Sequence, residues 1–337
     1  KRYVSSKPKN NNETKKNKQD KIKNEFKHSD FGETEIKDIP RVKKLASNYL
    51  VNSWNTIPHV TNHDEVDVTE MENFRSSLTD IYTGEKIKIT PLAFIIKALV
   101  ASLKKFPSFN SSIDDIDNGK VTLKKYYHIG IAVDTPNGLM VPKIRNANNK
   151  KISLLGRELK EVSELCRNLK IDKKELFGGS MTITSLGGIG GSFFTPIINF
   201  PEVAILGVGK SQKKQIFIDG KFQTRIMLPI SLSYDHRIID GAEAARFNND
   251  LKENLGSNFA YKLARIMYSI LSSDLRRPSG PGALNPPEIF APFGRICDRS
   301  KKTLRPSNSG CLPPPTKYED IRTSSAEAQP SIESSTT

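Results

Sequence analysis

Residues Leu228 to Ala242 carry the densest chemistry in the chain: Leu-Pro-Ile-Ser-Leu-Ser-Tyr-Asp-His-Arg-Ile-Ile-Asp-Gly-Ala. Small and apolar residues alternate as far as Tyr234, the pattern of a strand. Asp235, His236 and Arg237 follow, and a helical pattern opens near Asp240 and Gly241. An imidazole at a strand end, beside a helix N-terminus, is held by backbone and still faces a substrate channel. A general base needs that placement. On spacing alone, a lone histidine is more often structural than catalytic. Asp240 is suited either to cap the helix or to anchor an arginine.

Other residue groups suggest chemistry and then fall short of it. Gly187-Gly-Ile-Gly-Gly191 resembles a phosphate cradle. It lacks the Lys-Ser/Thr pair of a P-loop and the dinucleotide glycine spacing, so it reads as a tight turn. His59 and His63 alternate on a strand, but no carboxylate or cysteine spacing completes a metal site, and none is expected. Cys166 falls within a helix pattern with no base to activate it. The three cysteines contain no C-x-x-C pair, which argues against a disulfide framework and points to a reducing compartment.

The elements that must position these residues follow from periodicity. Ile39 to Trp54 has helical spacing, with Pro40 in the first turn. Ile57 to Val68 alternates as a strand, and Thr69 is placed to cap the next helix. Thr90-Pro91 opens a helix, Leu92 to Phe106, apolar nearly all round and therefore buried. Tyr127 to Val133 and Leu139 to Ile144 read as strands joined by the turn Asp134-Thr-Pro-Asn-Gly138. Ile152 to Leu169 is an amphipathic helix. Ser180 to Thr184, Pro201 to Val208 and Arg225 to Tyr234 are strands, and Ile239 to Leu255 is a closing helix. The pattern is a mixed α/β unit over 31–256, with long hairpins rather than regular βαβ units.

The signature Asp235-His236-Arg237-Ile-Ile-Asp240-Gly241 resembles the D-H-R-x-x-D-G motif of the dihydrolipoyl acyltransferases, the core subunits of 2-oxoacid dehydrogenase complexes. Ile57-Pro-His-Val-Thr61, Ile89-Thr-Pro91, Phe109-Asn-Ser-Ser112, Ala132 to Leu139, Met181 to Gly188 and Thr195 to Val208 resemble the same family in the same order. Asn199 to Val208 and the Val133 to Gly138 turn look most like the acetyltransferase branch, that of the pyruvate dehydrogenase complex. The resemblance implies a fold like chloramphenicol acetyltransferase: a mixed sheet flanked by helices, assembled as a homotrimer, with cubic or icosahedral cores as a further step. It implies a site between subunits, entered by coenzyme A from one side and by a lipoyl-lysine arm from the other. His236 matches the family's general base. Thr184 falls where the family places a hydroxyl that donates to the oxyanion from a neighbouring subunit, with Ser185 as the adjacent alternative. Asp240 matches the family's aspartate, taken as fixing the loop.

Two departures stand out. Many relatives carry a basic residue in the first helix that pairs with the signature aspartate, and Asn52 occupies that place. Asp240 is then expected to find another partner, with Arg237 nearest in sequence. The family's chains also end soon after the closing helix, whereas 257–337 is a tail unlike it, rich in proline, serine and threonine. Within it Phe259 to Leu271 reads as one more helix, and the rest of the tail is expected to be largely disordered. It either hangs outside an assembled core or blocks contact between trimers. The D-K-A tripeptide of a lipoyl domain does not occur, so the lipoyl arm must come from outside this chain. The start at Lys1 suggests a piece of something longer.

Composition bounds the remaining classes. The net charge is +15, but +7 of it sits on residues 1–27, while 28–256 carries only +4. A basic nucleic-acid-binding domain is not indicated. The Lys/Asn-rich stretch 1–30 reads as a basic, disordered linker. No apolar run reaches the roughly 18 residues of a membrane span. No leader pattern opens the chain, and composition suggests a bacterial cytoplasm, with the mitochondrial matrix as the alternative. Pyruvate dehydrogenase and dihydrolipoyl dehydrogenase subunits are the partners the resemblance implies. Sister branched-chain or succinyl acyltransferases, a non-catalytic scaffold and a free antibiotic acetyltransferase are the competing readings. Scaffolds of this kind lack the signature histidine, which is present as His236.

Overall fold

The first and last strands of the domain lie side by side. In the computed structural model the described residues are 27–79, 84–115 and 118–274. Residues 1–26 of the linker expected over 1–30, and the tail beyond 274, lie outside them, while His28–Asp30 form a short 3-10 turn.

β1 (His59–Asp67) pairs antiparallel along its whole length with β9 (Lys221–Asp235), from His59 opposite Asp235 to Asp67 opposite Met227. The main sheet then runs β9, β7 (Ala204–Val208), β6 (Met181–Ser185), β4 (Ile129–Ile131) and β5 (Lys143–Ile144). β4, β6 and β7 are parallel to one another, and the remaining pairings are antiparallel. This is the expected mixed sheet flanked by helices. Its strand β7 is apolar on both faces, as a strand covered by protein must be: Ala204 to Val208 are all buried.

Helices α2 (Thr69–Ser77), α3 (Pro91–Lys105), α4 (Ile152–Arg167), α5 (Gly241–Leu255) and α6 (Phe259–Asp274) share one core with this sheet. α3 is the central one. Thr90 caps it by accepting from Leu92 N, and Pro91 supplies a first turn that needs no N–H. Residues Ala93 to Val100 are buried without a break. Phe109 stacks on Phe247 of α5 at 4.0 Å between ring centroids, and Phe106 meets the same ring edge-on. Cys166 is wholly buried in α4, and burial pushes its thiol pKa up, so it packs rather than reacts.

The structure departs from the sequence reading where local chemistry overrides periodicity. α1 (Arg41–Thr56) begins after Pro40, which is the N-cap and not a first-turn residue. Its apolar side chains Leu45, Tyr49, Leu50 and Trp54 are exposed on the single chain. Thr69 does not cap α2 but is its first residue. Its N–H and hydroxyl both donate to Asp67 Oδ1, and the hydroxyl accepts from Ile226 N. Burial raises the Asp67 pKa, but these bonds and Arg225 outweigh it and hold the carboxyl below its usual range.

The strand expected over Tyr127 to Val133 is three residues long, and its partner is two, starting only after Pro142, which has no N–H to give a ladder. Beyond them Val133 and Met140 make one isolated bridge around the expected turn. β7 starts at Ala204, not Pro201, because Asn199 to Glu202 form a turn. β9 starts at Lys221 as one arm of a hairpin with β8 (Gln212–Ile218), a strand absent from the sequence reading. A second hairpin, β2 (Ser111–Asp115) with β3 (Lys120–Leu123), was also unforeseen.

The core extends past the expected boundary at Gly256. Phe259 is 2% exposed and meets Phe74 and Phe94 edge-on, and Leu263 is buried behind it. α6 is part of the folded unit.

Candidate active site

His236 is the first residue after β9, in a turn built by Asp235. The Asp235 side chain is 1% exposed, and its Oδ1 accepts from Arg237 N at 3.0 Å. Arg237 then wraps back, donating Nε to both carboxylate oxygens and Nη2 to Oδ2 at 2.7 Å. The Asp235 carbonyl accepts from Ile238 N and Ile239 N. One aspartate thus closes the turn from both its side chain and its backbone. His236 N donates to Pro58 O at 3.1 Å, tying the turn to the segment before β1. The His236 residue is exposed, with its ring 6.0 Å from that of Tyr234. Burial, aided by the Asp240 carboxylate, pushes the Tyr234 phenol pKa up.

Asp240 is the N-cap of α5, accepting from Glu243 N at 2.6 Å. Of the two roles open to it, the structure shows the cap. Arg237 is not its partner, because Arg237 is already chelated by Asp235. The hydrogen bonds from that chelate raise the Arg237 pKa.

His59 proves structural. Its Nε2 accepts from Ile198 N at 3.0 Å and its Nδ1 lies 2.8 Å from Ile57 O. An accepting Nε2 leaves Nδ1–H to donate, which assigns the neutral tautomer. His63 Nδ1 lies 2.8 Å from Ser231 Oγ. Among the described residues no group of three or more His, Cys, Asp and Glu gathers that could hold a metal ion.

Thr184 lies elsewhere on the sheet. It is half-buried on β6, in register with Gly207 on β7 and, through it, with Ser231 on β9. His236 is five residues further along β9's direction than Ser231. At about 3.3 Å per residue and about 4.8 Å between strands, Thr184 and His236 are on the order of 20 Å apart in one chain. They cannot touch the same thioester. Near Thr184 the glycine loop and the residues after it pack against β7 and the residues that follow it. Lys210 N bonds Gly191 O, and Phe194 packs so closely over Gly207 that a Cβ there would meet its ring at 2.9 Å. The loop is a turn pressed on β7, as expected.

The family model described as the catalytic domain of 2-oxoacid dehydrogenases acyltransferase matches residues 31–261. The chain belongs to that acyltransferase family. The match ends beyond Gly256, inside α6, in keeping with the packing of Phe259. Among curated proteins the chain is 52% identical over 223 residues to the dihydrolipoyllysine-residue acetyltransferase component of the pyruvate dehydrogenase complex of Cupriavidus necator, covering 66% of this chain and 40% of that protein. It is 48% identical over 221 residues to the protein of the same name from Haemophilus influenzae, covering 65% and 39%. The chain thus spans about 40% of the length of these relatives.

Among solved structures it resembles the Azotobacter vinelandii dihydrolipoamide acetyltransferase, with a TM-score of 0.65 and 43% identity, over 72% of this chain and 96% of that one. It matches the cubic core of a pyruvate dehydrogenase multienzyme complex equally well. In the Azotobacter acyltransferase a serine, a histidine and an asparagine have been studied for their roles in catalysis. The intervals between those three residues equal the intervals between Thr184, His236 and Asp240.

The sequence reading missed the part played by Asp235. Its signal was present: an acid and an arginine two residues apart, flanking the histidine, fit a closed turn around it. It also missed the buried pair Lys143 and Glu202, which pattern cannot reveal because the two residues sit on elements far apart in sequence.

Proposed function

We propose that this acyltransferase domain moves an acetyl group between coenzyme A and a dihydrolipoyl-lysine arm, as the core of a pyruvate dehydrogenase complex in a bacterial cytoplasm. The observation that carries this reading is His236: exposed, fixed on both backbone sides, and standing in the family signature. Acetyl is the acyl group named for both curated relatives, and both organisms are bacteria. Among the described residues no helix is long and apolar enough to cross a membrane.

The His236 imidazole takes the proton of the attacking thiol as its sulfur adds to the thioester carbonyl. The tetrahedral oxyanion needs a donor on its other side. Thr184 of the same chain is too distant, so Thr184 of a neighbouring copy supplies it, and the working unit is a homotrimer whose sites lie between subunits. One such donor is worth about 3–4 kcal/mol of barrier. Collapse of the intermediate expels the second thiolate, which takes the proton back from His236. Coenzyme A and the lipoyl arm are substrates, and no metal enters the scheme. The lipoyl arm, a larger core, pyruvate dehydrogenase and dihydrolipoyl dehydrogenase complete the assembly.

Acetyl transfer from acetyl-CoA to dihydrolipoamide tests this directly. The intact chain and a form ending at Asp274 are compared with His236→Ala in each. Activity abolished by His236→Ala supports the reading. Activity only in the shortened form assigns a blocking role to the tail. A trimer inactive in both forms would instead favour a non-catalytic scaffold.

A further inference from the structure

A buried salt bridge joins β5, at the far edge of the main sheet, to the turn that leads into β7. Lys143 on β5 donates Nζ to Glu202 Oε1 at 2.7 Å, with the two side chains only 1% and 2% exposed. Thr182 on β6 donates its hydroxyl to Glu202 Oε2 at 2.6 Å, and Lys143 Nζ lies 3.4 Å from that same hydroxyl oxygen. Asn199 Nδ2 donates to Oε1 at 3.1 Å. Space is cleared for the pair by two glycines. A Cβ on Gly179 would run into Glu202 and Lys143, and one on Gly130 into Lys143 and Thr182. Lys124 closes the cluster by donating to Gly179 O at 2.8 Å.

Such a pair is an expensive way to fill a core, since apolar residues of similar volume commonly hold a fold as well or better. Its retained value is geometric: it fixes where Glu202 stands. Glu202 is not in a strand. It belongs to the Asn199 to Glu202 turn, and the segment around that turn braces the histidine turn on several sides. Val203 O accepts from Asp235 N at 2.8 Å. Ile198 N donates to His59 Nε2, next in sequence to Pro58, whose carbonyl holds His236 N. Phe200 N donates to Ser53 Oγ on α1. Phe200, Pro201, Glu202 and Val203 line one cleft together with Asp235 and Arg237.

We infer that Glu202, anchored by Lys143 and Thr182, is a positioning residue for His236: the buried bridge sets the 198–203 segment that in turn fixes the Asp235–Arg237 turn. This rests on His236 being the base of the proposed transfer.

The test uses the full chain in its native assembly. Glu202→Gln alone strands the Lys143 charge and risks misfolding, so the informative variant is Lys143→Met with Glu202→Gln. Thr182→Val is a second, nearly isosteric probe. Thermal midpoint, kcat, KM and the imidazole signals of His236 are read together, the signals being assigned by difference against His236→Ala. The double variant should melt near the parent, with kcat down roughly tenfold or more and KM for acetyl-CoA within about twofold. Thr182→Val should show the same kcat-only loss at smaller size. The His236 signal should move in both. Parental kcat and an unmoved signal in a folded double variant would overturn the inference, and if that variant does not fold, the same result in Thr182→Val would. Should neither the parent nor the form ending at Asp274 transfer acetyl, the proposed function fails, and the His236 signal still decides the positioning question.

Discussion

At the residue scale the two aspartates of the signature do different work. Asp240 caps a helix through one oxygen, a task asparagine performs equally well, and the studied Azotobacter relative has an asparagine at the matching interval. Asp240→Asn should therefore keep kcat within about twofold, whereas Asp240→Ala should lower stability by about 1 kcal/mol in urea denaturation. Asp235 is the more sensitive of the two. Asp235→Asn weakens the charge-assisted chelate with Arg237, and kcat should fall about tenfold with the melting midpoint changed far less. An activity loss ranked the other way, with Asp240→Asn worse, would contradict this division.

Two lysines outside the turn carry a pH signature. Burial pushes Lys97 down to about 8, helped by neighbouring Lys104. Burial likewise pushes Lys124 down to about 8, against Glu202, which raises it. The unfolded chain keeps these protons up to about pH 10.4. It therefore binds more protons than the folded chain between pH 8 and 10, and stability rises with pH across that window. Urea denaturation at pH 7.5 and 9.5 should show the gain shrinking in Lys97→Met. An identical gain in parent and variant would refute the assignment.

At the scale of elements, α6 is the part most easily misjudged. Phe259 fills a three-ring cluster with Phe74 and Phe94. Phe259→Ala should cost about 3–5 kcal/mol by denaturation, as large aromatic deletions in cores do. A chain cut after Gly256 should fail to fold where one cut after Asp274 succeeds.

The sequence displayed α3, α4 and β1 well, because each keeps one period and has clear punctuation at its ends. It hid β8 behind lysines at 213 and 214, although Asp219-Gly220 is strong hairpin chemistry. It overextended the strands around Pro136 and Pro142, since apolar content suggests a strand while only N–H groups build a ladder. His236, Thr184 and Asp240 entered as candidates through resemblance. The chelate at Asp235 needed the three-dimensional fold, because alternatives for Arg237 differ only in which carboxylate it reaches.

At the scale of the whole molecule, the proposed transfer needs Thr184 and His236 at one site, and their distance in one chain then calls for a second copy. Copies carrying His236→Ala retain a good Thr184, and copies carrying Thr184→Ala retain a good His236. Mixed and reassembled in equal amounts, they should restore about a quarter of the sites in a cyclic trimer with one site per interface. Recovery after unfolding and co-refolding, and none on simple mixing of the variants kept apart, is the expected outcome. No recovery in co-refolded trimers would place both groups within one chain.

The pairing of β1 with β9 also sets a schedule for synthesis. β1 is complete at Asp67, but its partner is finished only at Asp235. At about 5–20 residues per second, the ribosome leaves the first strand unpaired for roughly ten to thirty seconds. Through that interval β1 is a nascent edge open to other chains, and the sheet cannot close by local contacts alone. Folding yield in cells should therefore depend on how crowded neighbouring ribosomes are and on chaperones that cover a waiting strand.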